Sequence, residues 1–130
     1  MKKFIKYLAF IICIVSLVGC GAAKLSDTYS EDKLKAASEE VIKNLNEENY
    51  SAIINGFGDE LKSKLTEDKL REPWKAMKDK LGKYDSISKI AFQEKDGIAT
   101  VVAICKYENG KAQFTLSFNK DMKMVGIYMK

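Results

Sequence analysis

The chain has 130 residues, with 22 basic and 18 acidic side chains and a formal net charge of +4. It contains no histidine, which excludes Ser-His-Asp and Cys-His catalytic arrangements and most zinc sites. Three lysines precede residue 7, so from residue 20 onward 19 basic side chains face 18 acidic ones. That near-neutral mixture argues against a nucleic-acid-binding protein, which needs a clustered basic footprint. We expect no nucleic-acid partner, no metal and no cofactor.

The N-terminus is basic and then apolar. Lysines at positions 2, 3 and 6 precede an apolar run from residue 7 to residue 18. A helix needs about 20 apolar residues to span a bilayer, and this run is shorter. The pattern predicts a signal peptide rather than a transmembrane helix.

The end of this segment, Leu17-Val18-Gly19-Cys20, resembles a bacterial lipobox. The resemblance implies removal of residues 1–19 as a signal peptide and a diacylglycerol thioether on Cys20. More than one acyl chain gives stable membrane anchoring. We therefore expect a lipoprotein at the extracytoplasmic face of a bacterial cell membrane. Residues 20–29 are interpreted as the lipidated cysteine and a short tether, and residues 30–130 as the folded domain.

Helix signals begin after the tether. Thr28 with Glu31 three residues later is typical of a capping box, and a first helix follows with apolar residues at helical spacing. Asn49 is the predicted cap of a shorter second helix, which Leu61 and Leu65 continue as a broken segment. The periodic positions of these two segments are Leu34, Ala37, Val41 and Leu45, then Tyr50, Ile53, Ile54 and Phe57.

A third helical region opens at Thr66 and places Leu70, Trp74, Met77 and Leu81 on one face. Gly82 is the predicted stop. Pro73 lies inside this pattern, where it either kinks the helix or occupies the first turn of a helix that begins late. The second option is the prediction.

From Ser86 onward the period is that of strands. Turns at Asp96-Gly97, at Asn109-Gly110 and near residues 120–123 separate the apolar runs. The first turn predicts the pairs Phe92 with Val101 and Ile90 with Ala103. The second predicts Cys105 with Phe114, Ala103 with Leu116, and Val101 with Phe118. The third predicts Phe118 with Val125, Leu116 with Ile127, and Phe114 with Met129. The sequence therefore predicts an α+β domain, with three helical segments packed on one face of a four-stranded antiparallel meander.

Three stretches resemble a known family: Asn49-Tyr50, the run from Leu70 through Trp74 to Gly82, and the strand pair from Phe118 to Gly126. The family is an uncharacterised domain of small bacterial lipoproteins that also occurs N-terminal to some α/β-hydrolases. The resemblance spans residues 32–130. It implies a nuclear-transport-factor-two-like cone, also called cystatin-like, in which a curved sheet wraps over helices. It implies no established activity.

No catalytic residue is expected, and the chain is not expected to be an enzyme. The predicted outer face of the sheet carries Val102, Ile104 and Tyr128, which are unusual on a solvated face. These three residues are the candidate interface for a homodimer or a protein partner. The leading hypothesis is a non-catalytic interaction or self-association domain.

The alternative hypothesis is a module that binds a small apolar ligand in the cone. The candidate lining consists of Phe57, Trp74, Tyr107, Phe114 and Phe118, and ligand pockets are mostly apolar with a few polar groups. The same side chains are large enough to fill the space. Cys105 is interpreted as a small buried hydrophobe.

Overall fold

The computed structural model describes residues 25–130, which form four helices followed by a four-stranded sheet. The chain is an α+β domain whose sheet is a meander that does not close. The helices are α1 (Glu31–Asn46), α2 (Tyr50–Asn55), α3 (Asp59–Lys64) and α4 (Glu67–Leu81), and the strands are β1 (Tyr84–Lys95), β2 (Ile98–Tyr107), β3 (Gly110–Phe118) and β4 (Met124–Met129).

Hydroxyl side chains start the two long helices. Ser30 accepts a hydrogen bond from the backbone N–H of Lys33, and Thr66 accepts one from Lys69. Each hydroxyl satisfies one of the N–H groups that a helix end leaves without a partner. The cap of α1 therefore lies two residues after the predicted Thr28, while Thr66 and the stop at Gly82 are confirmed.

Pro73 lies inside α4 rather than in its first turn, so the prediction of a late helix start is wrong. A proline there removes one backbone hydrogen bond. Leu70 and Trp74, on either side of it in the sequence, are fully buried. Burial of these side chains and the cap at Thr66 hold the helix across the interruption.

The sheet order is β1-β2-β3-β4, and every neighbouring pair is antiparallel. Between β1 and β2, Phe92 pairs with Val101 and Ile90 with Ala103, as predicted from the turn at Asp96-Gly97. Two irregularities interrupt the first half of β1, between Tyr84 and Ser86 and between Ile87 and Lys89. Such bulges bend a strand and change its twist.

The predicted register between β2 and β3 is wrong by two residues. Tyr107 pairs with Gly110, so Glu108 and Asn109 form the turn, and Cys105 lies opposite Ala112 instead of Phe114. The reason is tertiary: the N–H groups of Glu108 and Asn109 donate to the carbonyls of Lys83 and Leu81. Those bonds fix the turn one residue earlier than the Asn-Gly signal indicates. The corrected pairs are Ala103 with Phe114, Val101 with Leu116, and Ala99 with Phe118.

Between β3 and β4, the pairs of Phe114 with Met129 and of Leu116 with Ile127 are confirmed. The predicted pair of Phe118 with Val125 is wrong, because an irregularity after Ser117 places Met124 opposite Phe118. Met124 is buried and Val125 is exposed. A single extra residue therefore exchanges which of the two side chains reaches the core.

The core lies between the helices and one face of the sheet. On the inner face, small residues of β2 pair with large residues of β3, as in the pair Ala103 and Phe114. The large side chains therefore fill the space that the small ones leave. The segment before α1 also joins this layer, since Leu25 packs on the core and the Tyr29 hydroxyl donates to the carbonyls of Gly97 and Phe118. The chain has therefore entered the domain by residue 25.

Candidate functional site

The five aromatic side chains predicted to line a cavity are all buried. Trp74 is 0% exposed, and its ring centroid lies 5.6 Å from that of Phe114 and 6.2 Å from that of Tyr107. Phe57 and Phe118 are buried in the same cluster. Within residues 25–130, none of the five lines any of the clefts described here. In this structure their contacts are core contacts.

The polar atoms of this aromatic cluster connect α1 to α4 and to the sheet. Trp74 Nε1 donates to the carbonyl oxygen of Leu45 at 2.8 Å, and the Tyr107 hydroxyl donates to Asn46 Oδ1 at 2.8 Å. Both bonds reach the last turn of α1. Burial raises the pKa of the Tyr107 hydroxyl, so it stays protonated as a donor. These groups position α1 on the sheet.

Cys105 is buried on the inner face of β2, opposite Ala112. Burial raises the pKa of its thiol to about 11. A nucleophilic cysteine needs a lowered pKa and some access to solvent. Cys105 has neither property and contributes as a small apolar side chain.

An open cleft of about 530 Å³ lies between α1 and the bulged start of β1. Its helical wall uses Glu39, Lys43 and Asn46, which are spaced four and three residues apart on one face of α1, and Glu47 directly after the helix. The other wall is four consecutive residues of β1. The lining consists of Glu39, Lys43, Asn46, Glu47, Tyr84, Asp85, Ser86 and Ile87.

Tyr84 forms an aromatic wall of this cleft. Its ring stands edge-on to Tyr107 with centroids 5.3 Å apart. Burial raises the pKa of the Tyr84 phenol, and the nearby Cys105, Glu39 and Asp85 raise it further. The two carboxylates therefore lie close to this ring. Asn46 Nδ2 is buried at the cleft without a hydrogen-bond partner. Three acidic side chains and one lysine make the lining acidic.

This cleft is not among the sites predicted from the sequence. Polar residues on a helix are ordinarily a solvated face. The signal in the sequence is the spacing of positions 39, 43 and 46, which share one face of α1. The two bulges in β1 have no clear sequence signature. They decide which residues of β1 meet α1.

The three candidate interface residues lie on the outer face of the sheet, away from the helices. Val102 pairs with Thr115, and Thr115 pairs with Tyr128, so Val102 and Tyr128 belong to one row across three strands. Ile104 occupies the next row. Tyr128 is 73% exposed. None of the three packs against the core cluster of the described residues, so the structure brings them together on one surface.

The charged residues of this outer face are all lysines. The pairing places them outward because their neighbours along each strand point into the core. No aspartate or glutamate takes an outer position in the paired rows of residues 84–130. Lys106 and Lys111 face each other directly. The full set is Lys89, Lys95, Lys106, Lys111 and Lys130.

The candidate lipidation residue, Cys20, lies outside the described residues. In residues 25–130, no group of three or more histidine, cysteine or acidic side chains is arranged to hold a metal ion. The same part of the chain has no helix long and apolar enough to cross a membrane.

Residues 38–127 match the family model described as protein of unknown function (DUF3887). A search of curated proteins finds no significant match. The chain is similar to the NMR structure of a protein from Ruminococcus gnavus ATCC 29149, with a TM-score of 0.71 and 22% sequence identity over 82% of this chain and 96% of that one. At this level of identity the similarity concerns the fold alone.

Proposed function

The chain belongs to the family of proteins of unknown function DUF3887, and from that premise we propose that it is a bacterial lipoprotein that acts by binding rather than by catalysis. The proposed binding surface is the outer face of the sheet. The observation that carries this proposal is the outer row from Val102 through Thr115 to Tyr128, which no helix of the described residues covers and in which Tyr128 is 73% exposed. A large aromatic side chain that is exposed on an uncovered face, with half-buried aliphatic residues on the same face, is typical of an interaction site.

The lipobox-like run that ends at Cys20 supports anchoring at the extracytoplasmic side of the cell membrane. Leu25 already packs on the core. Five residue steps separate Leu25 from Cys20, which span at most about 18 Å. A lipid on Cys20 therefore keeps the domain at the bilayer surface.

The chemistry of the inner face supports a non-catalytic role. Its ionisable side chains among the described residues of the core are cysteine and tyrosines, and burial raises the pKa of Cys105 and of Tyr107. A general acid or base works best when its pKa lies near the operating pH. The proposal also includes the nuclear-transport-factor-two-like cone that the resemblance implies. Because the family occurs N-terminal to some α/β-hydrolases, the proposed partners include a hydrolase.

The charge of the outer face argues against self-association. In a symmetric dimer through this face, lysines of both copies meet in one interface without an aspartate or glutamate from either outer face. Like charges brought together at an interface cost several kcal/mol. A partner surface that is neutral or acidic fits better.

The test is site-specific photo-crosslinking of the full-length anchored protein in its host. A photo-reactive phenylalanine derivative replaces Tyr128, and the matched control replaces Lys62, an exposed residue of α3 on the helical side. We expect crosslinks to another molecule from position 128 and none from position 62. Crosslinks from position 62 alone would contradict the proposal.

A second candidate function is the binding of a small organic cation in the cleft between α1 and β1. The specific observation is the acidic lining around the Tyr84 ring, because aromatic faces and carboxylates both attract cations. Native mass spectrometry of the protein purified from its host tests this candidate. Extra mass that disappears in Glu39→Gln/Asp85→Asn supports it, and a protein without extra mass contradicts it.

A further inference from the structure

We propose that the partner of the outer sheet face is an anionic lipid bilayer, on which the sheet lies flat. This inference rests on the proposed function, because it names the partner of the same surface. The observations that carry it are the segregation of charge on the sheet, the path of the chain at its N-terminal end, and the distribution of apolar side chains on the face.

Charge is the first observation. Lysines at positions 2, 3, 6 and 24 precede the described residues, so residues 25–130 carry 18 basic and 18 acidic side chains in balance. The outer face nevertheless carries five lysines and no aspartate or glutamate. Lys106 and Lys111 even form a like-charge pair, which destabilises an isolated sheet. An anionic surface over this face would attract both lysines and offset their mutual repulsion.

The path of the chain is the second observation. The backbone N–H of Ser26 donates to Glu94 Oε1 at 2.8 Å, and Glu94 belongs to β1, an edge strand of the sheet. The chain therefore meets the domain beside an edge. Layers of a fold lie about 10 Å apart, and the five residues from Cys20 span at most about 18 Å. That length is sufficient to pass around the edge to the outer face.

The side chains at the middle of the face are the third observation. Val102 and Ile104 are half-buried on β2, where Lys89 of β1 lies opposite Ile104. Tyr128 is 73% exposed in the same row as Val102, with Thr115 between them. Tyrosine is enriched where membranes meet water, because its ring is amphipathic. A shallow groove of about 290 Å³ along Gln113, Tyr128 and Lys130 is open on this side. An apolar centre with a basic surround is the pattern of surfaces that lie on membranes.

Vesicle binding tests this inference. The test protein is the chain from residue 20 onward, with Cys20→Ser to remove the lipid, and it retains every described helix and strand. The similar Ruminococcus chain, 96% of which is covered in the comparison, has an NMR structure, which indicates that a chain of this extent folds. We expect the test protein to bind vesicles of phosphatidylglycerol and not vesicles of phosphatidylcholine. The affinity should fall when the salt concentration rises from about 0.1 M to about 0.5 M, because the lysines are exposed.

The variant Lys89→Gln/Lys106→Gln/Lys130→Gln removes three charges from the face. Each lysine near an anionic membrane contributes about a fivefold gain in affinity, so the variant should bind about 100-fold more weakly. The matched control is Lys62→Gln/Lys69→Gln/Lys80→Gln on α3 and α4, which changes the net charge equally and should bind like the wild type. Circular dichroism confirms that both variants are folded.

Three results would overturn this inference alone. The first is no binding to phosphatidylglycerol vesicles, and the second is an equal loss in the control variant, which would mean attraction by net charge alone. The third is a crosslink from position 128 only to a protein, either an acidic partner or a second copy. That third result would leave the proposed binding function standing, whereas crosslinks from position 62 alone would overturn both.

Discussion

The indole nitrogen of Trp74 in α4 donates a hydrogen bond to the carbonyl oxygen of Leu45 in α1, at a distance of 2.8 Å. The bond joins two helices that are separated by 29 positions in the sequence. The same carbonyl accepts from the N–H of Glu48. The last turn of α1 is therefore fixed both by its own loop and by the largest side chain of the core.

Trp74→Phe is expected to lower the free energy of unfolding by about 2 kcal/mol. The change removes one buried hydrogen bond and leaves space where the larger ring was. The loss stays moderate because the Leu45 carbonyl retains the Glu48 N–H as a partner. Urea denaturation followed by circular dichroism measures the change. Lys75→Gln, an exposed substitution on the same helix, is the control, and an equal stability of wild type and Trp74→Phe would refute the role of this contact.

Gly82→Ala should destabilise the domain more than Gly97→Ala. Both glycines have positive φ, at 78° and 82°, where an L side chain is strained by about 1 kcal/mol or more. A Cβ at Gly97 meets nothing within 4 Å, whereas at Gly82 it lies 3.2 Å from Glu108 Cβ. Gly82 also has ψ −147°, which with its positive φ is a conformation essentially restricted to glycine. We expect losses of about 1 kcal/mol at position 97 and about 2–3 kcal/mol at position 82. Thermal unfolding of the two variants compares them, and the reverse order would contradict this account.

Pro73→Ala should stabilise the protein. Pro73 is exposed in the interior of α4, so the substitution restores a backbone hydrogen bond without disturbing the core. Proline inside a helix costs about 3 kcal/mol relative to alanine, and we expect a gain of at least about 1 kcal/mol. Differential scanning calorimetry would record it as a higher melting temperature. A lower melting temperature would mean that the proline bend is needed to seat Trp74.

The stability should decline in alkaline solution. Burial raises the pKa of Cys105 from 9.0 to about 11 and also raises that of Tyr107. In this range the native state binds more protons than the unfolded state, so its advantage is complete below pH 9 and is lost as the pH rises through about 11. Urea unfolding at pH 7 and at pH 10.5 measures the decline. Cys105→Ala removes one of these groups and should show a shallower decline, whereas an identical decline would assign it to the tyrosines alone.

The sequence predicted which side of β2 and of β3 faces the core, but not all of the partners, and on β4 it placed Val125 inward where Met124 is buried. At Asp96-Gly97 both turn residues have positive φ, and the local signal set the register correctly. At Asn109-Gly110 the same kind of signal was overridden by hydrogen bonds from the turn to the end of α4. The resulting slip of two residues preserves the inward face, because side chains alternate with a period of two.

The cleft between α1 and β1 could not be predicted from the sequence. Its walls depend on two bulges in β1 and on the seating of α1 by Trp74 and Tyr107. Bulges are irregularities of pairing, and no single residue type announces them. The shared face of Val102, Ile104 and Tyr128 could be predicted from the sequence, because the alternation of side chains along a strand is enough to assign it.

The loop between α2 and α3 is tied to the start of β4. Gly58 N–H donates to the carbonyl of Met124, and Met124 N–H donates to the carbonyl of Gly56, both at 2.8 Å. All other strand pairing in this meander joins sequence neighbours and closes only short loops, which is fast. This tie closes more than 60 residues at once. We therefore expect the rate of folding to be limited by the arrival of the helical half on β4, with the hairpins already formed.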